Sequence, residues 1–176
     1  MQYISHYHSP LGRITLAADE IGLTGLWLEG QKYYAGQLDL ERGEWEEKEL
    51  PAIAMTKCWL DEYFAGKVPE TTIPMHLSGT SFQMEVWEIL CQIPYGQTIT
   101  YGQIARQIAA KRGRKTMSAQ AVGGAVGRNP ISIIVPGHRV MGADGSLTGY
   151  AGGIDKKRKL LTLEKAVENA ISFVVE

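Results

Sequence analysis

The segment Asn129-Pro130-Ile131-Ser132-Ile133-Ile134-Val135-Pro136-Gly137-His138-Arg139-Val140 carries the strongest fold signal in this chain. Asn129-Pro130 ends the helix before it, because proline disfavours helical geometry in the preceding residue and cannot donate to a helical ladder. Ile131 to Val135 is a short β-branched run, which predicts a buried strand. That strand leads into Pro136-Gly137-His138-Arg139-Val140, where an imidazole and a guanidinium follow a residue with no side chain.

Upstream, Thr100 caps a helix from Tyr101 to Ala110, a basic loop runs from Lys111 to Lys115, and Ser118 caps a second helix from Ala119 to Val126. Two short helices joined by a tight basic connection fit a helix-turn-helix, and equally a helical hairpin used only for packing. Ala119, Ala121, Gly123, Gly124 and Ala125 strip the second helix of bulk. Glycine costs about 1 kcal/mol relative to alanine in a helix interior, so a close approach to this backbone is expected, by another helix or by a groove wall. Earlier still, Thr80 or Ser81 caps a helix with Phe82, Val86, Ile89, Leu90 and Ile93 on one face, ending at Pro94-Tyr95-Gly96. Downstream come a turn at Gly142 to Gly145, the run Ser146-Leu147-Thr148-Gly149-Tyr150-Ala151-Gly152-Gly153, and a basic helix from Asp155 that contains Glu164.

The first 80 residues read differently. Tyr3 to Tyr7, Arg13 to Ala17 and Leu23 to Leu28, punctuated by Ser9, Pro10, Gly12 and Gly22, predict three antiparallel strands. Residues 29 to 51 suggest a short helix and a polar loop. Ile53 to Phe64 has helical periodicity closed by Gly66, and Lys67 to Thr80, with Pro69 and Pro74, suggests a connecting strand and linker. A composition shift near Ser81 divides the chain into 1–80, β-rich, and 81–176, helical.

The chain has 176 residues, 44% hydrophobic and 21% charged, an ordinary globular composition that excludes a disordered tail, a collagen-like chain and a coiled coil. No apolar run approaches the roughly 20 residues of a membrane span. Met1 to Pro10 lacks the basic and apolar blocks of a secretory signal, so a cytoplasmic location is expected. Cys58 and Cys91 are too few for a disulfide framework and are expected to be buried small hydrophobes. They show no ligand spacing with His6, His8, His76 or His138, so neither a metal nor another cofactor is expected. The net charge of −1 conceals an uneven layout: Tyr101 to Leu160 holds eleven Lys or Arg against Asp144 and Asp155. The basic segment suits a polyanion surface, or simply a solvated face.

In the order of its parts, the stretch from Phe82 to the last helix resembles the O6-alkylguanine-DNA alkyltransferases, or methylated-DNA–protein-cysteine methyltransferases. The resemblance rests on the two-helix unit, Arg128-Asn129-Pro130, the run to Val140, Gly149-Tyr150-Ala151-Gly152-Gly153 and the final helix. The first 80 residues match the family only in length and in β-rich, ribonuclease-H-like character. The resemblance implies an α+β fold: a ribonuclease-H-like small antiparallel sheet with a helix, then a helical domain with a winged helix-turn-helix. The implied partner is double-stranded DNA containing O6-alkylguanine, bound by a monomer without a cofactor.

One position departs from the family. Family members carry Pro-Cys-His-Arg-Val, whose cysteine accepts the alkyl group, and this chain has Gly137 there. Glycine offers no nucleophilic atom for a base to activate, so transfer to this polypeptide is expected to be absent. His138 and Glu164 match the pair that deprotonates the thiol through a water. Tyr101 matches the tyrosine that helps rotate the nucleotide outward, and Asn129 the hinge asparagine. Ala119, Ala121 and Gly123 match the small residues that enter the minor groove, and Gln120 stands where the family has its intercalating arginine. Arg128 and Arg139 join the DNA-binding set, while Val140, Tyr150 and Ala151 match the base pocket. Two other classes stay open: a non-enzymatic alkyltransferase-like lesion binder, which usually has Trp at the acceptor position, and a transcription regulator with a vestigial pocket.

Overall fold

The structure, a computed structural model, describes residues 1–31, 45–147 and 149–165. The short helix expected between residues 29 and 51 lies largely outside them. The described residues form two compact units, those of Met1–Ser78 with Pro130–Ser132, and those of Gly79–Asn129 with the described residues from Ile133 to Lys165.

In the first unit, β1 (Gln2–Ser9), β2 (Gly12–Ala18) and β3 (Leu23–Leu28) form the expected antiparallel meander. The Ser9 hydroxyl closes the first turn, accepting from the Leu11 N–H and donating to the Gly12 carbonyl. Asp19 Oδ1 closes the second by accepting from the Ile21 and Gly22 N–H groups. A strand that periodicity did not reveal, β4 (Trp45–Glu47), adds parallel to β1 and gives the order β3-β2-β1-β4. Ile14, Leu16, Leu26 and Leu28 are fully buried. The Trp27 ring lies on Gly25, where a Cβ would sit 1.9 Å from the indole, so no larger residue fits.

Helix α1 (Pro51–Phe64) starts with the proline that a first turn tolerates and buries Ala52, Ile53, Thr56, Leu60 and Tyr63. Cys58, two residues beyond Thr56, lies about 200° around the helix from it and is exposed, contrary to expectation. Cys91 at the end of the next helix is exposed too. The segment Lys67–Thr80 is a connection with a single bridge, Met75 to Leu23, rather than a strand. The strand expected over Ile131–Val135 also reduces to one bridging residue. Ile131 pairs with Leu26, which donates to the Pro130 carbonyl and accepts from the Ser132 N–H. Ile133 then takes φ 71°, a left-handed geometry incompatible with a continuing strand.

In the second unit, α2 (Ser81–Cys91) and α3 (Tyr101–Lys111) each begin with a full capping box, Thr80 with Gln83 and Thr100 with Gln103. Ser118 caps α4 (Ala119–Gly127) by accepting from the Ala121 N–H at 3.1 Å. Helix α4 packs on α3 and α2, burying Val122, Ala125 and Val126, and the Trp87 indole donates to the Ala125 carbonyl at 2.9 Å. A short 3-10 turn (Gly137–Arg139) leads into β6 (Val140–Met141), which pairs in parallel with β5 (Ile99–Thr100). Helix α5 (Ile154–Leu163) buries Lys157, Leu160 and Leu161. Glu164 is not inside this helix, as expected from the sequence, but at its C-cap. The fold is α+β, a small sheet with a helix followed by a helical domain with a helix-turn-helix. Among the described residues no helix is long and apolar enough to cross a membrane.

Candidate active site

The 3-10 turn after Pro136 holds Gly137, His138 and Arg139, all buried. It closes through backbone bonds from Gly137 N–H to the Val135 carbonyl and from Arg139 N–H to the Pro136 carbonyl. His138 is 0% exposed, and its Nε2 lies 2.6 Å from Glu164 Oε2. Glu164 also accepts from Arg139 Nε at 2.8 Å, Arg139 Nη2 at 3.1 Å and the Gly96 N–H at 3.1 Å. The third arm of the guanidinium, Nη1, donates to the Ile93 carbonyl at 2.7 Å. One buried carboxylate thus collects a histidine, both faces of an arginine fork and a backbone amide.

The protonation states follow from these contacts. Burial alone would raise the Glu164 carboxyl, but the hydrogen bonds and charges of His138 and Arg139 outweigh it and hold the carboxyl at about 2. For His138 burial is the larger effect: it pulls the imidazole below its ordinary value despite the carboxylate beside it. A neutral imidazole next to an ionised carboxylate must place its proton on Nε2, since the carboxylate can only accept. Nδ1 then carries the lone pair. That atom is buried and has no hydrogen-bond partner among the described residues. This is the geometry of a general base awaiting a proton donor.

Gly137 provides space but no nucleophile. A Cβ built there would lie 3.3 Å from Val126 Cγ1, 3.6 Å from Asn129 Nδ2 and 3.8 Å from the Val126 carbonyl oxygen, so a one-carbon side chain fits after a slight shift of one methyl. The Gly137 backbone is not in the left-handed region, so it accepts a side chain without strain. Asn129, buried, donates from Nδ2 to the Val135 carbonyl at 2.6 Å and so ties the end of α4 to the segment that carries the turn.

Tyr101 opens α3, and burial pushes its phenol up to about 12, keeping it protonated. The Lys157 ammonium sits 5.7 Å from the centre of that ring and donates to the Val140 carbonyl. Burial lowers Lys157 to about 8. Tyr150 meets the His138 ring edge-on at 6.4 Å, Val140 is buried and Ala151 is half-buried. Helix α4 exposes Ala119, Gln120, Ala121, Gly124 and Arg128, while Gly123 faces the Tyr101 ring, 3.9 Å from its would-be Cβ.

One expected assignment is corrected by this geometry. Arg139, placed with the DNA-binding residues from its charge, is 8% exposed, and its guanidinium donates inward to Glu164 and to the Ile93 carbonyl. A buried carboxylate outcompetes a distant phosphate for that fork. Two participants escaped the sequence reading. Gly96 contributes only a backbone N–H, which no side-chain pattern reveals. Lys157 did leave a signal, because it lies at i−3 and i−4 to Leu160 and Leu161, on the apolar stripe of its own helix.

Comparison with known proteins places both parts of the chain. Residues 2–77 match the ribonuclease-like domain of 6-O-methylguanine DNA methyltransferase, and residues 81–166 match its DNA binding domain. The methylated-DNA–protein-cysteine methyltransferase of Mycobacterium tuberculosis H37Rv is 46% identical over 164 residues, covering 92% of this chain and 93% of that one. The protein of the same name from Haemophilus influenzae is 39% identical over 165 residues, covering 93% and 86%. The crystal structure of M. tuberculosis OGT in complex with DNA superposes with a TM-score of 0.79 at 44% identity, covering 93% of each chain.

Proposed function

This chain belongs to the methylated-DNA–protein-cysteine methyltransferase family, and from that membership we propose that it binds duplex DNA carrying O6-alkylguanine and extrudes the altered base without becoming alkylated. The observation that carries the reading is the buried His138–Glu164 pair, with a bare Nδ1, directly following a residue that has no side chain. In this reading the exposed small-residue face of α4 enters the minor groove as a monomer, and Gln120 fills the gap the base leaves. Tyr101 crowds the backbone of the nucleotide, and Val140, Tyr150 and Ala151 enclose the extruded guanine. Extrusion is required because a stacked base hides the atom on which chemistry occurs.

Gly137 is the acceptor position in this proposal. With a cysteine there, His138 Nδ1 would take the thiol proton through a water, the sulfur would bond to the alkyl carbon as the carbon–O6 bond breaks, and the departing guanine would receive the proton back. With glycine the sequence halts at binding, the behaviour of a non-enzymatic lesion-binding protein. The test is intact-mass spectrometry after incubation with a duplex containing O6-methylguanine. The chain as it stands is expected to bind and keep its mass, and Gly137→Cys to gain one methylene equivalent, once. A mass gain on the glycine form, or none on the cysteine form, would overturn the assignment.

A further inference from the structure

A groove of about 330 Å³ opens in the second unit between the end of α2, the loop after it, β5 and α3. Its floor is apolar, with Ile89 and Ile99 half-buried and Ile93 buried, and its rim carries the exposed amides of Gln92, Gln97 and Gln107. None of the described residues that line it is charged, so nothing there holds a phosphate. Helix α5 ends beside this groove. Glu164 Oε1 accepts from the Gly96 N–H at 3.1 Å, and the Glu164 carbonyl oxygen lies 3.2 Å from where a Cβ at Gly96 would sit. Gly96 immediately precedes Gln97 of the rim. Lys165 then takes φ 61°, the left-handed geometry that stops a helix and turns the chain.

The sequence continues past that turn as Ala166-Val167-Glu168-Asn169-Ala170-Ile171-Ser172-Phe173-Val174-Val175-Glu176, with an uncharged run from Ala170 to Val175 in which only Ser172 is polar. An apolar groove and an apolar run thus meet at the point where the chain leaves α5. From this juxtaposition we propose that residues 170–175 dock in the groove of their own chain, with Ile171 and Phe173 against the three isoleucines. The five residues before Ile171 reach about 17 Å when extended, ample for a wall that begins one residue from Gly96. The rim glutamines, each with two donors and an acceptor, satisfy the backbone of the docked run. A tether this short gives an effective concentration on the order of millimolar, about a thousandfold above a second copy at micromolar concentration, so the occupant is the chain's own segment. The docked run covers the loop whose Gly96 N–H holds Glu164 and braces the buried pair from a surface that takes no part in DNA binding.

The test uses the full chain with Cys58→Ser, Cys91→Ser and Ser172→Cys, a nitroxide on the new cysteine, and paramagnetic broadening of backbone amides by NMR. Broadening is expected to centre on Gln92, Gln97, Thr98 and Gln107. It should be lost when Ile171→Asp and Phe173→Asp are added, and also when Thr98→Glu and Gln107→Glu are added instead, while amides remote from the groove keep their positions and so report an intact fold. In a mixture of isotope-labelled chain without nitroxide and unlabelled chain with it, the groove amides should stay sharp. Broadening centred elsewhere or without a centre sinks the proposal, as does broadening that survives the aspartate pair. Groove broadening in the mixture would assign the occupant to a second copy and overturn the intrachain reading. None of these outcomes depends on DNA binding or on the acceptor position.

Discussion

Glu164 shows how much one side chain can carry. It anchors His138, Arg139 and Gly96 at once from a position that is 3% exposed. Glu164→Gln removes the countercharge of a buried arginine and turns an amide donor toward a donor, so a loss of about 3–5 kcal/mol is expected in chemical denaturation. The pH dependence follows from the signs. Both His138 and Glu164 have folded values below their ordinary ones, so the unfolded chain binds more protons and stability falls as pH falls. His138 contributes fully above 6.5 and less below it, and Glu164 contributes fully above 4.5, its share being lost toward about 2. The melting temperature should therefore begin to decline just below neutrality, and His138→Gln, which keeps a donor for Glu164, should remove that upper part of the decline. Lys157 is depressed as well, so raising pH from about 8 toward 10.5 should stabilise the protein. A titration of Lys157→Met showing the same alkaline gain would refute that origin.

Helix α4 separates stability from function at the scale of an element. A Cβ at Gly124 would meet nothing within 4 Å, and the residue is exposed in the middle of a helix. Gly124→Ala should raise stability by about 1 kcal/mol, through lower entropy of the unfolded chain. Gly124→Leu should keep a normal melting temperature yet weaken duplex binding, if this face lies against a groove wall. Equal affinity for the leucine form and the parent, in a fluorescence-anisotropy titration, would place the DNA elsewhere. Helix starts were legible because capping is local: Thr80, Thr100 and Ser118 each reach a backbone N–H three residues on. The segment Ile131–Val135 was not, because its β-branched residues fit a strand while Ile133 is held in a left-handed turn. The inward turn of Arg139 was hidden for a similar reason. A cation reads the same in sequence whether it faces water or a carboxylate 25 residues away.

Across the whole molecule, the concentration of positive charge between Tyr101 and Leu160 was visible in the sequence, but its availability was not. Of the eleven cations in that stretch, Arg139 and Lys157 are buried. Arg112 is paired with Glu85 at 2.9 Å and lies over the Phe82 ring. The exposed basic residues Arg106, Lys111, Arg114, Lys115 and Arg128 come from α3, the loop after it and the end of α4, so they share the helix-turn-helix. Binding to duplex should depend on these charges and on salt more than on sequence, since minor-groove readout is degenerate. Neutralising about four phosphates predicts a slope of log K against log salt of about −3.6, or an affinity loss on the order of 100-fold between 50 and 200 mM salt. Replacing Arg114 and Lys115 together by Gln should flatten that slope by up to about two phosphate equivalents. Replacing the buried Arg139 should lower stability and leave the slope alone. An affinity indifferent to salt would remove the electrostatic basis for placing DNA on this surface.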